Sequence, residues 1–132
     1  MVLIYGAAFS GKRDIARRFY HIESFCDGSA VPFSEIMSAT AVANYHDLIR
    51  RLLDAEESPQ SFTNRLISEK PDTVILMNDV GSGIVPIDRQ ERLWREECGI
   101  CSRIIAQNAH TVIRVVCGIP QVLKGELPCL CT

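Results

Sequence analysis

Met1-Val2-Leu3-Ile4-Tyr5-Gly6-Ala7-Ala8-Phe9-Ser10-Gly11-Lys12 opens the chain, and its reading decides the fold. Val2–Tyr5 is a short apolar run with β-branched members, stopped by Gly6, which predicts a buried strand. From Gly11 to about His21, residues Ile15, Ala16 and Phe19 recur at three- and four-residue spacing, which predicts a helix. The turn between them, Gly6 to Lys12, has the pattern G-x-x-x-x-G-K in the strand–turn–helix context that pattern requires. In that context the loop N–H groups and the helix N-terminus point into one concavity. Gly6 and Gly11 let the backbone approach phosphate oxygens, and Lys12 adds a mobile positive charge for the β- and γ-phosphates. Gly6, Ala7, Ala8, Phe9, Ser10, Gly11, Lys12 and Arg13 are therefore the candidate residues for binding a nucleoside triphosphate, GTP or ATP. One position departs from the pattern. Residue 13 should be Ser or Thr, to place a hydroxyl on Mg²⁺, and it is Arg13. A guanidinium cannot ligate a metal, so the loop speaks for phosphate binding more strongly than for metal-assisted transfer.

Working outward, Cys26-Asp27-Gly28-Ser29 reads as a turn, and Ala30–Phe33 as a short strand that Pro32 confines to an edge. Ala39 to Asp54 reads as a helix with Val42, Tyr45, Leu48, Ile49, Leu52 and Leu53 on its apolar face. Ser58 followed by Pro59 starts another helix, running to about Lys70. Thr73–Met77 is a continuous apolar run, which predicts a central parallel strand. Asp88 starts a long helix to about Asn108, and Thr111–Cys117 is a last buried strand. Gly118 to Thr132 reads as irregular, since Pro128 argues against a long closing element. The alternation predicts an α/β fold: a small parallel sheet with helices on both faces. Four strands leave edges that assembly with further copies could cover.

Between strand and helix lies Asn78-Asp79-Val80-Gly81-Ser82-Gly83-Ile84-Val85-Pro86. Ligands of open parallel sheets sit at the carboxyl ends of strands, which puts Asp79 on the same edge as Gly6–Lys12. Its carboxylate could hold Mg²⁺ or orient a water bound to it; equally, it could cap a turn.

These two loops resemble the adenosylcobinamide kinase/adenosylcobinamide-phosphate guanylyltransferase family. That family has a similar phosphate loop, a strand ending in Asn-Glu-Val-Gly-x-Gly-Ile-Val-Pro, and a last strand ending in Val-x-Gly-Ile. The last of these reads Val115-Val116-Cys117-Gly118-Ile119 here. The likeness covers residues 1–20 and 72–124. It implies a P-loop NTPase-like fold of the RecA/kinase type, often as a homo-oligomer. It also implies phosphoryl transfer from ATP or GTP to a corrinoid, then GMP transfer through a guanylylated histidine, with Lys12 and Asp79 as the matching catalytic positions. The family's histidine lies in a His-His-Lys-Asp-Gly-Arg-like segment, and this chain has none. An acidic strand-end motif of the family's middle portion is also missing, and the chain is shorter by about one βα unit. His46 is the remaining candidate for the histidine, and the competing reading makes it a surface or boundary residue. His21 and His110 read as helix-end residues. A nucleotide-binding regulatory or non-catalytic module of the same fold is the alternative reading.

Composition sets the outer limits. The 132 residues are the size of one domain, so 1–132 is read as a single nucleotide-binding domain built on that loop, with 47% hydrophobic and 23% charged residues, as in an ordinary globular core and surface. Net charge is −2 with acids and bases interleaved, which argues against nucleic acid as a partner. No apolar run is long enough to cross a membrane. Six cysteines without a secretory signal predict reduced thiols and a cytoplasmic location. Cys98-x-x-Cys101 and Cys129-x-Cys131 have the thiols for a zinc site, but a helical pair in apolar company reads better as buried small hydrophobes.

Overall fold

A computed structural model describes residues 1–80 and 88–129. The candidate stretch Gly81–Pro86 and Cys131 lie outside the described residues. Among those described, strands are β1 (Val2–Gly6), β2 (Cys26–Asp27), β3 (Ala41–Ala43), β4 (Val74–Asn78), β5 (Thr111–Val116) and β6 (Ile119–Lys124). Helices are α1 (Lys12–Tyr20), α2 (Phe33–Ile36), α3 (Tyr45–Asp54), α4 (Pro59–Glu69) and α5 (Arg89–Asn108). The strands form one sheet in the order β2-β3-β4-β1-β5-β6. β1 runs at its centre, parallel to β4 and β5, with Gly6 in register with Asn78 and Val115. Successive side chains of a strand face opposite sides, so β1 feeds two cores. Leu3 joins Ile75, Met77, Tyr45, Leu48, Leu66, Cys98 and Ile105 under α3, α4 and α5. Val2 and Ile4 join Leu76, Ile113, Val115, Ile15 and Ala16 under α1. Helices thus cover both faces, as the α/β reading requires. No described helix is long and apolar enough to cross a membrane.

Local signals placed the helix starts well. The Ser58 hydroxyl accepts from Ser61 N–H with Pro59 in the first turn of α4, and Asp88 accepts from Gln90 N–H ahead of α5. Elsewhere the structure corrects the sequence reading. The expected helix from Ala39 starts only at Tyr45, because Ala41–Ala43 is strand β3, fully buried between β2 and β4. Asn44, in the left-handed region at φ 56, turns the chain from strand into helix. The edge strand expected at Ala30–Phe33 is instead a turn and α2, while the turn expected at Cys26 contains β2. Of the stretch after Gly118 expected to be irregular, Ile119–Lys124 is regular. It is β6, antiparallel to β5, so the sheet is mixed and has six strands rather than four. Cys117 and Gly118 both have positive φ, 50 and 76, which matches the right-handed twist of a two-residue hairpin. Lys124 Nζ then donates to the Ala106 and Gln107 carbonyls at the end of α5, 3.0 Å each, and ties the edge strand down.

Candidate functional site

The sheet brings the carboxyl ends of β1, β3 and β4 together, and a cavity of about 670 Å³ opens there. Its lining includes Ser10, Gly11, Lys12, Arg13, Asn44 and Asn78. Gly6 ends β1 where no side chain fits. A Cβ there would lie 2.6 Å from the Val115 carbonyl oxygen and 3.0 Å from Ser10 Oγ. The loop then turns through Ala7, Ala8 and Phe9, whose φ is 58 and whose ring is wholly exposed. Ser10 N–H donates to Ala7 O at 3.3 Å. Gly11 enters α1 at φ 100, a conformation glycine takes without strain. Lys12 Nζ folds back over the loop and donates to Ala7 O at 2.6 Å. Burial first, then the neighbouring Arg13, hold the Lys12 ammonium below the usual lysine range.

The β5–β6 turn braces this loop from outside. Gly118 N–H donates to Ser10 O at 2.8 Å, and a Cβ on Gly11 would meet Gly118 Cα at 3.1 Å. The hairpin that sequence reading missed therefore helps to shape the loop that it found. A glycine between two apolar runs was the available signal.

Asp79 lies where expected, beside the loop. Its N–H donates to Gly6 O at 2.9 Å, and its Oδ1 accepts from Tyr5 Oη at 3.1 Å. Burial, then the Asp79 charge and hydrogen bond, push the Tyr5 phenol up to about 12, so it stays a donor. Tyr5 is a site residue that sequence reading took only as strand core. Asn44 is another, hidden by the misread β3; its amide donates to Asp27 Oδ1 at 3.0 Å.

His46 is neither a surface nor a boundary residue. It is 6% exposed, and its Nδ1 accepts from Asn78 N–H at 3.1 Å. Its Nε2 lies 3.5 Å from Asp47 Oδ2, and its carbonyl accepts from Trp94 Nε1 at 2.7 Å. The ring thus joins α3 to the end of β4, and the His46 carbonyl joins α3 to α5. Arg50 stacks over Trp94, 3.9 Å from the ring, and pairs with Glu91 at 2.8 Å, steadying the start of α5. Cys98 and Cys101 are buried in the same core, where desolvation raises their thiols to about 12 and about 11. Such thiols are unreactive hydrophobes.

Burial lowers the His46 pKa; Asp47 opposes this, and Lys12 and Arg50 add to it. The folded state thus prefers the neutral ring, which the Nδ1 acceptor role also demands. Below the ordinary value near 6.5, the unfolded chain takes up this proton first, so stability falls with falling pH. We expect the melting temperature to drop between pH 7.5 and 5.5. His46→Asn keeps an acceptor at the Nδ1 position and should flatten that drop. An unchanged slope in the variant, measured by calorimetry, would assign the acid sensitivity to other groups.

A model of the cobinamide kinase / cobinamide phosphate guanyltransferase family matches residues 36–123, 88 of the 132 residues. The chain is also 36% identical over 61 residues to the bifunctional adenosylcobalamin biosynthesis protein CobP of Pseudomonas aeruginosa. That likeness covers 46% of this chain and 35% of the length of that relative. The family match begins after the Gly6–Lys12 loop, so the loop's reading rests on its own pattern and geometry.

Proposed function

The chain belongs to the cobinamide kinase / cobinamide phosphate guanyltransferase family, and from that premise we propose that it binds GTP or ATP at Gly6–Arg13 and acts on a corrinoid. The observation that supports this most is the join of the two candidate loops at one sheet edge, through the 2.9 Å bond from Asp79 N–H to Gly6 O. The loop amides and Lys12 would hold the triphosphate, with the first-turn N–H groups of α1 adding their unpaired donors. Mg²⁺ is commonly held by one or two carboxylates together with substrate phosphates, so a single carboxylate beside the loop suits it. Asp79 is the residue that would hold it, and the ion would neutralise charge on the phosphate oxygens. Tyr5 fixes the orientation of that carboxylate.

The geometry favours phosphoryl transfer over GMP transfer. A phosphoramidate-forming histidine needs an exposed, neutral ring nitrogen. His46 is buried, with Nδ1 occupied by Asn78, so we assign it to positioning β4 rather than to catalysis. The alternative, a nucleotide-binding module without chemistry, is favoured by Arg13 standing where a metal-binding hydroxyl belongs.

Calorimetric titration with GTP and ATP, with and without Mg²⁺, tests the binding, and NTP consumption with a corrinoid acceptor tests the chemistry. We expect micromolar affinity and, for Asp79→Asn, loss of the Mg²⁺ effect and at least about a tenfold fall in turnover. No binding of either nucleotide would end this reading; binding without turnover would select the non-catalytic module. We propose further that residues 1–132 work as one nucleotide-binding unit in the cytoplasm, where reduced thiols prevail. Exposed Val116, Ile119, Val122 and Leu123 on the β5–β6 hairpin support a homo-oligomer, which light scattering would register as a mass above 14.7 kDa.

A further inference from the structure

The cavity carries more positive charge than a phosphate loop and its lysine require. Arg13 and Arg17 lie one turn apart on α1, and both line the cavity wall that runs from Lys12 to Ala43 and Asn44. Their guanidinium carbons stand 5.3 and 5.5 Å from the centroid of one ring, Phe25. Phe25 itself packs against the core under α1, so the ring is a fixed platform for two otherwise mobile side chains. Neither arginine makes an ion pair or hydrogen bond among the described residues. Of the nearby acids, Asp14 lines the same cavity but lies 3.8 Å from Arg18, and Asp27, which also feels the charge of Arg13, accepts its hydrogen bonds from Ser29 and Asn44. Arg13 also presses on the Lys12 ammonium, so three like charges share one opening. An anion between them would relieve that repulsion and receive the planar donor forks that suit phosphate.

We infer that Arg13 and Arg17, held on Phe25, form a second phosphate subsite in the same cavity, beside the loop. Its ligand is a phosphate or pyrophosphate group, supplied either by the triphosphate of the loop-bound nucleotide or by a second, phosphate-bearing substrate. Only the choice between those two sources rests on the nucleotide reading above.

The test is calorimetry without Mg²⁺ on the whole chain, comparing wild type with Arg13→Gln/Arg17→Gln. If the nucleotide supplies the phosphate, the double variant should bind GTP at least about tenfold more weakly. If a second substrate does, GTP affinity should hold, while GTP-saturated wild type binds inorganic pyrophosphate and the double variant does not. Independently of GTP, Lys12→Ala protein should still bind pyrophosphate, and lose it when both arginines are also replaced. Arg18→Gln removes one charge from the same helix outside the cavity, and should leave every titration unchanged. The subsite is overturned if the double variant matches wild type in all titrations, or if Arg18→Gln weakens them equally.

Discussion

Lys12→Ala should raise the dissociation constant for GTP and ATP by about 10- to 100-fold. The ammonium is the one side-chain cation that the loop itself holds in place, through its 2.6 Å bond to Ala7 O. A hydrogen bond to a charged group contributes about 1.5–3 kcal/mol, and each ~1.4 kcal/mol is tenfold in affinity. The half-buried position strengthens the interaction relative to a fully solvated lysine, because fewer waters screen it. Stability should change little, since Lys12 packs into neither core. Titration calorimetry measures the first effect and scanning calorimetry the second. A variant that binds both nucleotides as wild type does would remove Gly6–Lys12 from the nucleotide site.

Gly6→Ala should be the most damaging single methyl group in the molecule's site. Its Cβ would stand 2.6 Å from the Val115 carbonyl oxygen, a backbone atom in the neighbouring central strand, and cannot be relieved by a rotamer change. β1 and β5 would have to separate, or the loop to lift off. Overpacking of this kind costs about 1–3 kcal/mol. At roughly 3–6 °C per kcal/mol for a domain of this size, the melting temperature should fall by about 3–18 °C. The loop moves with the strand, so nucleotide affinity should fall too. Gly99→Ala is the matched contrast. Gly99 lies inside α5 with nothing within 4 Å of a Cβ, so alanine there should stabilise by up to about 1 kcal/mol. Equal melting temperatures for wild type and Gly6→Ala would mean that β1 and β5 do not approach as closely as described.

Elements whose cause is local were readable. Val2–Gly6, the G-x-x-x-x-G-K turn and α1 lie within one continuous stretch, and each carries its own pattern of apolar run, glycine or helical spacing. The Ser58 and Asp88 caps are equally local, one side chain meeting an N–H two or three residues away. Even the placement of Asp79 beside the loop followed from a general property of parallel sheets. Ala41–Ala43 was not readable. Three residues are too few to show a strand's period, and Val42 happens to continue the helical spacing of α3. Only burial between β2 and β4 makes that segment a strand. β6 was hidden for a different reason: Pro120 and Gln121 interrupt its apolar residues, and it is exposed along most of its length, so neither strand period nor burial shows. Its pairing with β5 is what defines it.

The sequence by itself determined the α/β class and the phosphate-loop pattern with its Arg13 departure, because these depend on near neighbours in the chain, and the edge at which Asp79 would stand, because parallel sheets hold their ligands at the carboxyl ends of strands. Tertiary structure alone decided the rest. It buried His46 against Asn78, seated the Cys117–Gly118 turn on Ser10, and stacked Arg13 and Arg17 on Phe25. The first two contacts join residues 32 and 108 positions apart in sequence, and the arginines are gathered on a ring that belongs to no helix of theirs. The closure of such separations is set by the sheet order, which no local pattern encodes.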